Sequence, residues 1–154
     1  MKRHIGLASR AGAIACCLLF LVGCEKSRLD EEVRQLCAKD GGIKIYETVK
    51  LPSERFDQHG NIKIPSKKDA NPSDEYYYES ETIFLRSGNP DLRRSHDKII
   101  RRHDQKVLGE FVYYARRGGD IPGPWHESHF GCSDIIKQQN FESSIFTKDG
   151  EELK

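Results

Sequence analysis

The chain has 154 residues, the length of one ordinary domain, and its 25 basic and 24 acidic side chains give a net charge of +1. This balance gives no electrostatic case for binding nucleic acid. Only 36% of the residues are hydrophobic and 32% are charged, which excludes a large hydrophobic core.

The beginning of the chain has the layout of an export signal. Positive charge comes first, an apolar stretch occupies residues 11–23, and a polar run begins at residue 25; the basic residues are Lys2, Arg3 and Arg10. The apolar stretch has about the length of the hydrophobic region of a secretory signal. It is too short to cross a bilayer as a helix of the mature protein.

The apolar stretch ends in Leu21-Val22-Gly23-Cys24, directly before Glu25. This sequence resembles the lipobox of bacterial lipoproteins. The resemblance implies that residues 1–23 are a cleaved signal peptide, and that Cys24 carries a diacylglycerol group on its sulfur and an acyl chain on the new amino terminus. Two or three acyl chains give stable membrane attachment, so the expected partner is the lipid bilayer.

The residues after Cys24 bear on which membrane holds the protein. Glu25 is not the aspartate that typically signals inner-membrane retention in enteric bacteria, which favours the outer membrane. Lys26-Ser27, in contrast, resembles a retention signal of pseudomonad lipoproteins. We expect a membrane-anchored, periplasm-facing protein, with the outer membrane slightly favoured over the inner membrane.

The cysteines indicate one disulfide. Of the five in the chain, Cys16 and Cys17 lie in the expected signal peptide and Cys24 is expected to carry lipid, which leaves Cys37 and Cys132. Two thiols in an exported domain most simply form one bridge, because the bacterial envelope is oxidising.

The mature chain begins with a predicted helix. Its apolar positions recur at helical spacing along one face, at Leu29, Val33, Leu36 and Cys37. Gly41-Gly42 provides a left-handed stop. Residues 24–28 are expected to form a lipidated N-terminus and a short tether, so the domain should lie close to the membrane.

The rest of the chain has the alternating pattern of strands. A single α+β domain over residues 29–148 follows, with the helix packed on an antiparallel sheet of about five or six strands and one helix-to-loop disulfide. Residues 149–154 are expected to fray. The predicted strands are Ile43–Leu51, a short one at Ile62–Ile64 inside the long polar excursion Pro52–Glu75, Tyr76–Leu85, the hairpin Ser95–Arg102 with Val107–Arg117, and one within Asn140–Lys148.

A second candidate feature is a set of metal-binding residue types spaced by three, His126, His129 and Cys132. Histidine and thiolate suit zinc, and an open fourth position would make the site catalytic. A sulfur in a disulfide cannot be a thiolate ligand, however. We therefore favour no metal and no cofactor, and keep a small metal-binding protein or metal-dependent hydrolase that uses His126 and His129 as the alternative.

Carboxylates on the strands are a third candidate. Glu79 and Glu81 are two residues apart on one strand and share a face, where Glu47 or Glu110 could join them. Paired carboxylates can perform acid–base chemistry on a glycan. The competing interpretation is cross-strand ion pairing on a solvated face with basic residues, namely Lys98, Arg101, Arg102 or Arg116. No catalytic residue is predicted, and whether the protein is an enzyme stays open, with a preference for none.

Aromatic residues supply a possible interaction surface. Tyr76-Tyr77-Tyr78 and Tyr113-Tyr114 put rings on both faces of their strands, and Trp125 lies in a glycine- and proline-rich loop. The excursion Pro52–Glu75 could cover one of these faces; otherwise the rings would form an exposed platform for protein, peptide or glycan. The candidate contact residues are Tyr77, Tyr113 and Trp125.

Three segments of the mature chain resemble small uncharacterised lipoproteins of proteobacteria, at residues 39–49, 74–80 and 116–120. This resemblance implies no activity. We expect a membrane-anchored cell-envelope lipoprotein that acts as a non-enzymatic structural or interaction module. Its partners beyond the bilayer would be an envelope protein or peptidoglycan, and no nucleic acid is expected.

Overall fold

The structure is a computed structural model that describes residues 25–120, 123, 126–135 and 140–150. Its architecture is α+β, as predicted: a helix packs on an antiparallel sheet, and a disulfide joins the helix to the segment after the last strand of that sheet. The elements in chain order are α1 at residues 25–40, β1 Gly42–Ile45, β2 Val49–Leu51, β3 Tyr76–Arg86, β4 Asp91–Arg101, β5 Lys106–Arg117, β6 His129–Gly131, α2 Phe141–Ile145 and β7 Phe146–Lys148.

The main sheet has five antiparallel strands with β5 at its centre. One edge of β5 pairs with β4 over its whole length, and the other edge pairs first with β1 and then with β6. β3 is the outer strand beside β4. The predicted central hairpin is confirmed, because β4 ends at Arg101 and β5 begins at Lys106.

α1 covers one face of the main sheet, which we call the helix face. The predicted apolar stripe of α1 is confirmed: Leu29, Val33 and Cys37 are buried and pack against side chains of the two central strands, Leu92, Val112 and Tyr114. The helix is longer than predicted, because residues 25–28, which we assigned to a tether, are helical. Its end is as expected, with Gly42 at a φ of 107° beginning β1.

A second core lies on the opposite face, where α2, β2 and β7 pack. Its sheet members are Tyr76, Ile99 and Leu108. Leu108 reaches this face because the register shifts opposite Ile99 and Ile100, so that β5 has an extra residue there. The other buried members are Leu51, Ile62, Ile145 and Phe146.

Two predicted strands are each divided in the structure. The expected strand Ile43–Leu51 forms β1 in the main sheet and β2 in a separate parallel pair with β7. The chain bends between them, where the N–H groups of Tyr46 and Glu47 both donate to the Leu108 carbonyl. In the expected strand Asn140–Lys148, the Asn140 side chain accepts a hydrogen bond from the Ser143 N–H and caps α2, which leaves only β7 extended.

The Cys37–Cys132 disulfide is confirmed. It joins the last turns of α1 to the short 3-10 turn that follows β6. Gly41 passes so close to the bridge that an added Cβ would lie 2.7 Å from the Cys37 Cα atom and 3.2 Å from the Cys132 sulfur. The chain therefore needs glycine at this position to leave the helix beside the disulfide.

The first prediction concerns this bridge, which joins residues 95 apart in the sequence. Replacing both cysteines, Cys37→Ser with Cys132→Ser, should lower the free energy of unfolding by about 4–5 kcal/mol, because the unfolded chain gains the freedom of an open loop. Urea unfolding of the double variant and of the oxidised wild type measures the difference. Equal stabilities would contradict the predicted role.

Candidate functional site

The lipidation site predicted at Cys24, the signal peptide of residues 1–23 and the contact residue Trp125 lie outside the described residues. Residues 151–154 of the predicted frayed end lie outside them too. Within the described residues, no helix has the length and apolar character needed to cross a membrane.

The beginning of α1 is tied to the end of the main sheet by ion pairs. Glu25 pairs with Arg86 at the end of β3. Lys26 lies 2.5 Å from Asp120 in the loop after β5. Both contacts involve the first residues after Cys24, so this part of the chain is held against the domain and does not act as a loose tether.

Arg116 is the buried centre of the same region. Only 2% of this residue is exposed, although we considered it a candidate for the solvated face. Its Nε donates to Asp30 on α1 at 2.7 Å, and its Nη1 donates to the carbonyls of Gly118 and Ser128 at 2.6 and 3.1 Å and to the Ser128 hydroxyl at 2.7 Å. One guanidinium thus joins α1, β5 and the loop segment that precedes β6.

Asp120 completes this network. Its carboxylate accepts a hydrogen bond from Lys26 and another from the Ser128 N–H at 2.5 Å. These donors, Lys26 first, hold the pKa of Asp120 well below its ordinary value. The network therefore keeps a charged carboxylate at ordinary pH.

The second candidate feature is the outward edge of β3 from Ser80 to Arg86, which we call the open edge. In the part of the chain that the structure describes, no strand pairs with it, since β3 ends the strand order. It carries three consecutive apolar residues whose exposures are 41% for Ile83, 57% for Phe84 and 46% for Leu85. A long apolar sheet edge is a surface prone to strand pairing.

The open edge has a defined beginning. The segment Pro65–Lys67 pairs with Tyr78: the Tyr78 N–H donates to the Pro65 carbonyl, and the Lys67 N–H donates to the Tyr78 carbonyl. This segment then turns away at residues 66–69. The exposed backbone row starts at the next outward position, Ser80.

A cleft of about 500 Å³ lies where that segment leaves the sheet. It contains Glu79 and Glu81, which share a face of the sheet as predicted; that face is the helix face. Glu79 is engaged in an ion pair with Lys67. The other lining residues are Ser66, Lys68, Tyr78, Ser80, His96 and Lys98.

The other two candidate carboxylates are also engaged. Glu110 accepts hydrogen bonds from the Tyr46 hydroxyl and from His96, and these donors lower its pKa. Lys106, and then Arg101, lower the pKa of Glu47 at the hairpin end. A carboxylate with a lowered pKa is a poor general acid, because it holds no proton at ordinary pH.

The tyrosines of the possible interaction surface have different environments. Tyr77 is only 3% exposed; its hydroxyl donates to Gln105, and Lys67 of the long excursion and Arg102 lie over its ring. Its ring is thus covered and offers no contact surface. Tyr113 is partly buried, stacks on His129 and shares a hydrogen bond with Ser133.

The residues of the alternative metal site are not gathered into a cluster. Cys132 is consumed by the disulfide, and His129 lies 3.9 Å from the Asp134 carboxylate. Both His126 and His129 are exposed. Among the described residues, no group of three or more histidine, cysteine, aspartate or glutamate side chains could hold a metal ion.

The second prediction tests the buried arginine. Replacing it by Arg116→Met should lower the free energy of unfolding by about 3 kcal/mol, because the Asp30 carboxylate loses its partner in a largely buried setting. The neighbouring Arg117 is exposed and pairs with Glu127 on the surface, so Arg117→Met is the matched control and should cost less than about 1 kcal/mol. Equal losses in urea unfolding would contradict the role given to Arg116.

The third prediction concerns pH. Because the pKa of Asp120 is lower in the folded than in the unfolded chain, its stabilising contribution is complete above about pH 4 and is lost as the pH falls through the folded-state pKa. Asp120→Asn should therefore weaken the fall in stability between about pH 5 and pH 2. Urea unfolding of the variant and of the wild type across this pH range measures how the free energy of unfolding changes with pH.

The matched control for that experiment is Glu32→Gln, which removes an exposed carboxylate from the same helix that carries Lys26. If Asp120→Asn and Glu32→Gln change the pH dependence equally, the network around Asp120 is not its source.

No protein-family description, curated protein or solved structure matches this chain. A function has to be inferred from its own residues.

Proposed function

We propose that the protein is a cell-envelope lipoprotein, anchored by acylated Cys24 and facing the periplasm, that acts as a non-enzymatic interaction module. Glu25 after the lipidated cysteine favours the outer membrane. The domain would lie directly against the bilayer surface.

One observation carries this proposal: the folded domain begins at residue 25, directly after Cys24. Residue 25 is already helical, and the ion pairs of Glu25 and Lys26 fix the first turn of α1 to the sheet. A lipid on Cys24 would therefore hold a domain close to the membrane without a flexible spacer. Such a domain presents a fixed set of surfaces to partners in the envelope.

The disulfide supports export. Cys37 and Cys132 form a bridge, and structural disulfides persist in oxidising compartments such as the periplasm. This agrees with the expected removal of the first 23 residues during secretion.

The open edge supports an interaction role. Ile83, Phe84 and Leu85 expose apolar surface beside unpaired backbone groups, which is the arrangement used in binding by strand addition. The carboxylates that were considered for catalysis favour a non-enzymatic role. Hydrogen-bond donors hold Glu47 and Glu110 ionised, and Glu79 is in an ion pair.

The fourth prediction tests the anchor. Cells that express the full chain and are fed radioactive palmitate should label the wild-type protein and not Cys24→Ser, because the proposed acylation is on that cysteine. Cys17→Ser, which removes another cysteine of the same N-terminal region, is the matched control and should keep the label. The intact mass of the purified wild type should correspond to a chain that begins at Cys24 with its acyl groups. An unlabelled wild type, or a labelled Cys24→Ser, would contradict the proposal.

A further inference from the structure

We infer that two copies of this chain pair antiparallel through their open edges, which joins their main sheets into one continuous sheet. The inference rests on the proposed function, since it names the partner of the interaction module. The open edge is the surface and a second copy is its occupant.

The backbone of the open edge has N–H and C=O groups that point outward and can pair with another strand. The N–H and C=O groups of Tyr78 point away from β4, since they bond to the segment Pro65–Lys67. Backbone groups alternate along a strand, so those of Ser80, Thr82 and Phe84 point outward as well. The opposite edge of the sheet is divided between two short strands, β1 with four residues and β6 with three, whereas the open edge is one uninterrupted stretch of β3.

The side chains set the register of the pairing. Ile83 is the first of the three apolar residues. Its own backbone groups point toward β4, because backbone groups alternate along a strand. Centring the two-fold axis on Ile83 brings the two isoleucines together as a non-hydrogen-bonded pair, the closest kind of cross-strand contact. Thr82 of each copy then exchanges backbone hydrogen bonds with Phe84 of the other.

The charges of β3 are complementary only in the antiparallel direction. Its first half carries Glu81 and also Glu79, which pairs with Lys67; its end carries Arg86, which pairs with Glu25. The neighbouring positions of β4 beside Phe84 and Ile83 add Arg93, which pairs with Asp91, and Arg94. Antiparallel pairing places the acidic half of one copy beside the basic end of the other, whereas parallel pairing would place like charges together.

Glu81 is available for this contact, since no ion pair in the described ranges uses it. Arg94 is in no ion pair there either, but it is half-buried and its Nε donates to the Tyr114 hydroxyl at 3.2 Å. The Glu81 carboxylate lies on the helix face and, with the axis at Ile83, it meets the Leu85–Arg86 end of the second strand. The extra residue between Phe84 and Arg86 also lies there.

Membrane anchoring is compatible with this arrangement. Antiparallel strands of one sheet are related by a two-fold axis perpendicular to the sheet, so both α1 helices lie on the same face of the joined sheet. Residue 25 of each copy, next to Cys24, is tied to Arg86 at the end of β3. Both lipids can therefore enter one membrane, where confinement raises the effective concentration of the two edges.

The fifth prediction uses proline to remove the pairing without disturbing the sheet. The Thr82 N–H points outward, so Thr82→Pro costs no backbone hydrogen bond within the monomer and removes two between the copies. Within the monomer it removes only the exposed hydroxyl contact of Thr82 with Ser95 at 3.2 Å. In sedimentation of the full chain in detergent, the wild type should be dimeric in a concentration-dependent manner, and Thr82→Pro should dissociate at a roughly tenfold higher dissociation constant. A wild type that stays monomeric at all concentrations would falsify the inference.

A cross-link tests the register and does not depend on the fold of the proline variant. Ile83→Cys should form a disulfide-linked dimer on mild oxidation of membranes, because the two Cα atoms would be about 4.5 Å apart. Ile45→Cys, an isoleucine of similar exposure on β1, is the matched control and should stay monomeric. Equal cross-linking of both variants, or of neither, would overturn the inference.

The experiments distinguish a failure of the dimer proposal from a failure of the anchor proposal. If palmitate labelling of Cys24 fails while Ile83→Cys still cross-links in the extracted protein, the anchor proposal is wrong and the pairing stands. If the label is present and the edge copurifies only with a different protein, the anchor stands and a second copy is not the occupant.

Discussion

The placement of the first helix depends on a buried guanidinium. Arg116 joins Asp30 on α1 to the carbonyls of Gly118 and Ser128, and almost none of it meets water. Desolvation makes such a charge costly unless it is paired and hydrogen-bonded, so the partners of Nε and Nη1 hold the helix, the strand and the loop in one arrangement. The disulfide fixes the other end of the same helix. Between these two points the apolar stripe of α1 covers the helix face.

This arrangement gives the domain two different regions. The ion pairs of Glu25, Lys26 and Asp30 gather where α1 begins, beside the cysteine that we propose to be lipidated. The outer strand β3 runs along the edge of the sheet and exposes Ile83, Phe84 and Leu85. The region that would face the bilayer is thus rigidly connected to the edge that would bind a partner, since Arg86 belongs to both.

The open edge was not predicted from the sequence. The three consecutive apolar residues Ile83-Phe84-Leu85 put side chains on both faces of their strand, and a strand that is covered on both faces has the same pattern. The spacing of Glu79 and Glu81 correctly places them on one face. Spacing could not show that Glu79 is bound by Lys67 or that Glu110 is bound by Tyr46, because these partners come from distant segments. Spacing likewise could not show that Lys67 of the long excursion lies over the Tyr77 ring.

The sequence by itself determined the fold class, the helix stripe, the central hairpin and the disulfide. Each depends on local periodicity or on the number of cysteines that the proposed signal peptide and lipid anchor leave over. Only the tertiary structure decided that residues 43–51 divide between two sheets and that residues 141–145 form a helix. It also decided that Arg116 is buried while its neighbour Arg117 is exposed. These outcomes depend on which distant segment packs beside each residue, and alternation along a strand is the same whichever partner it meets.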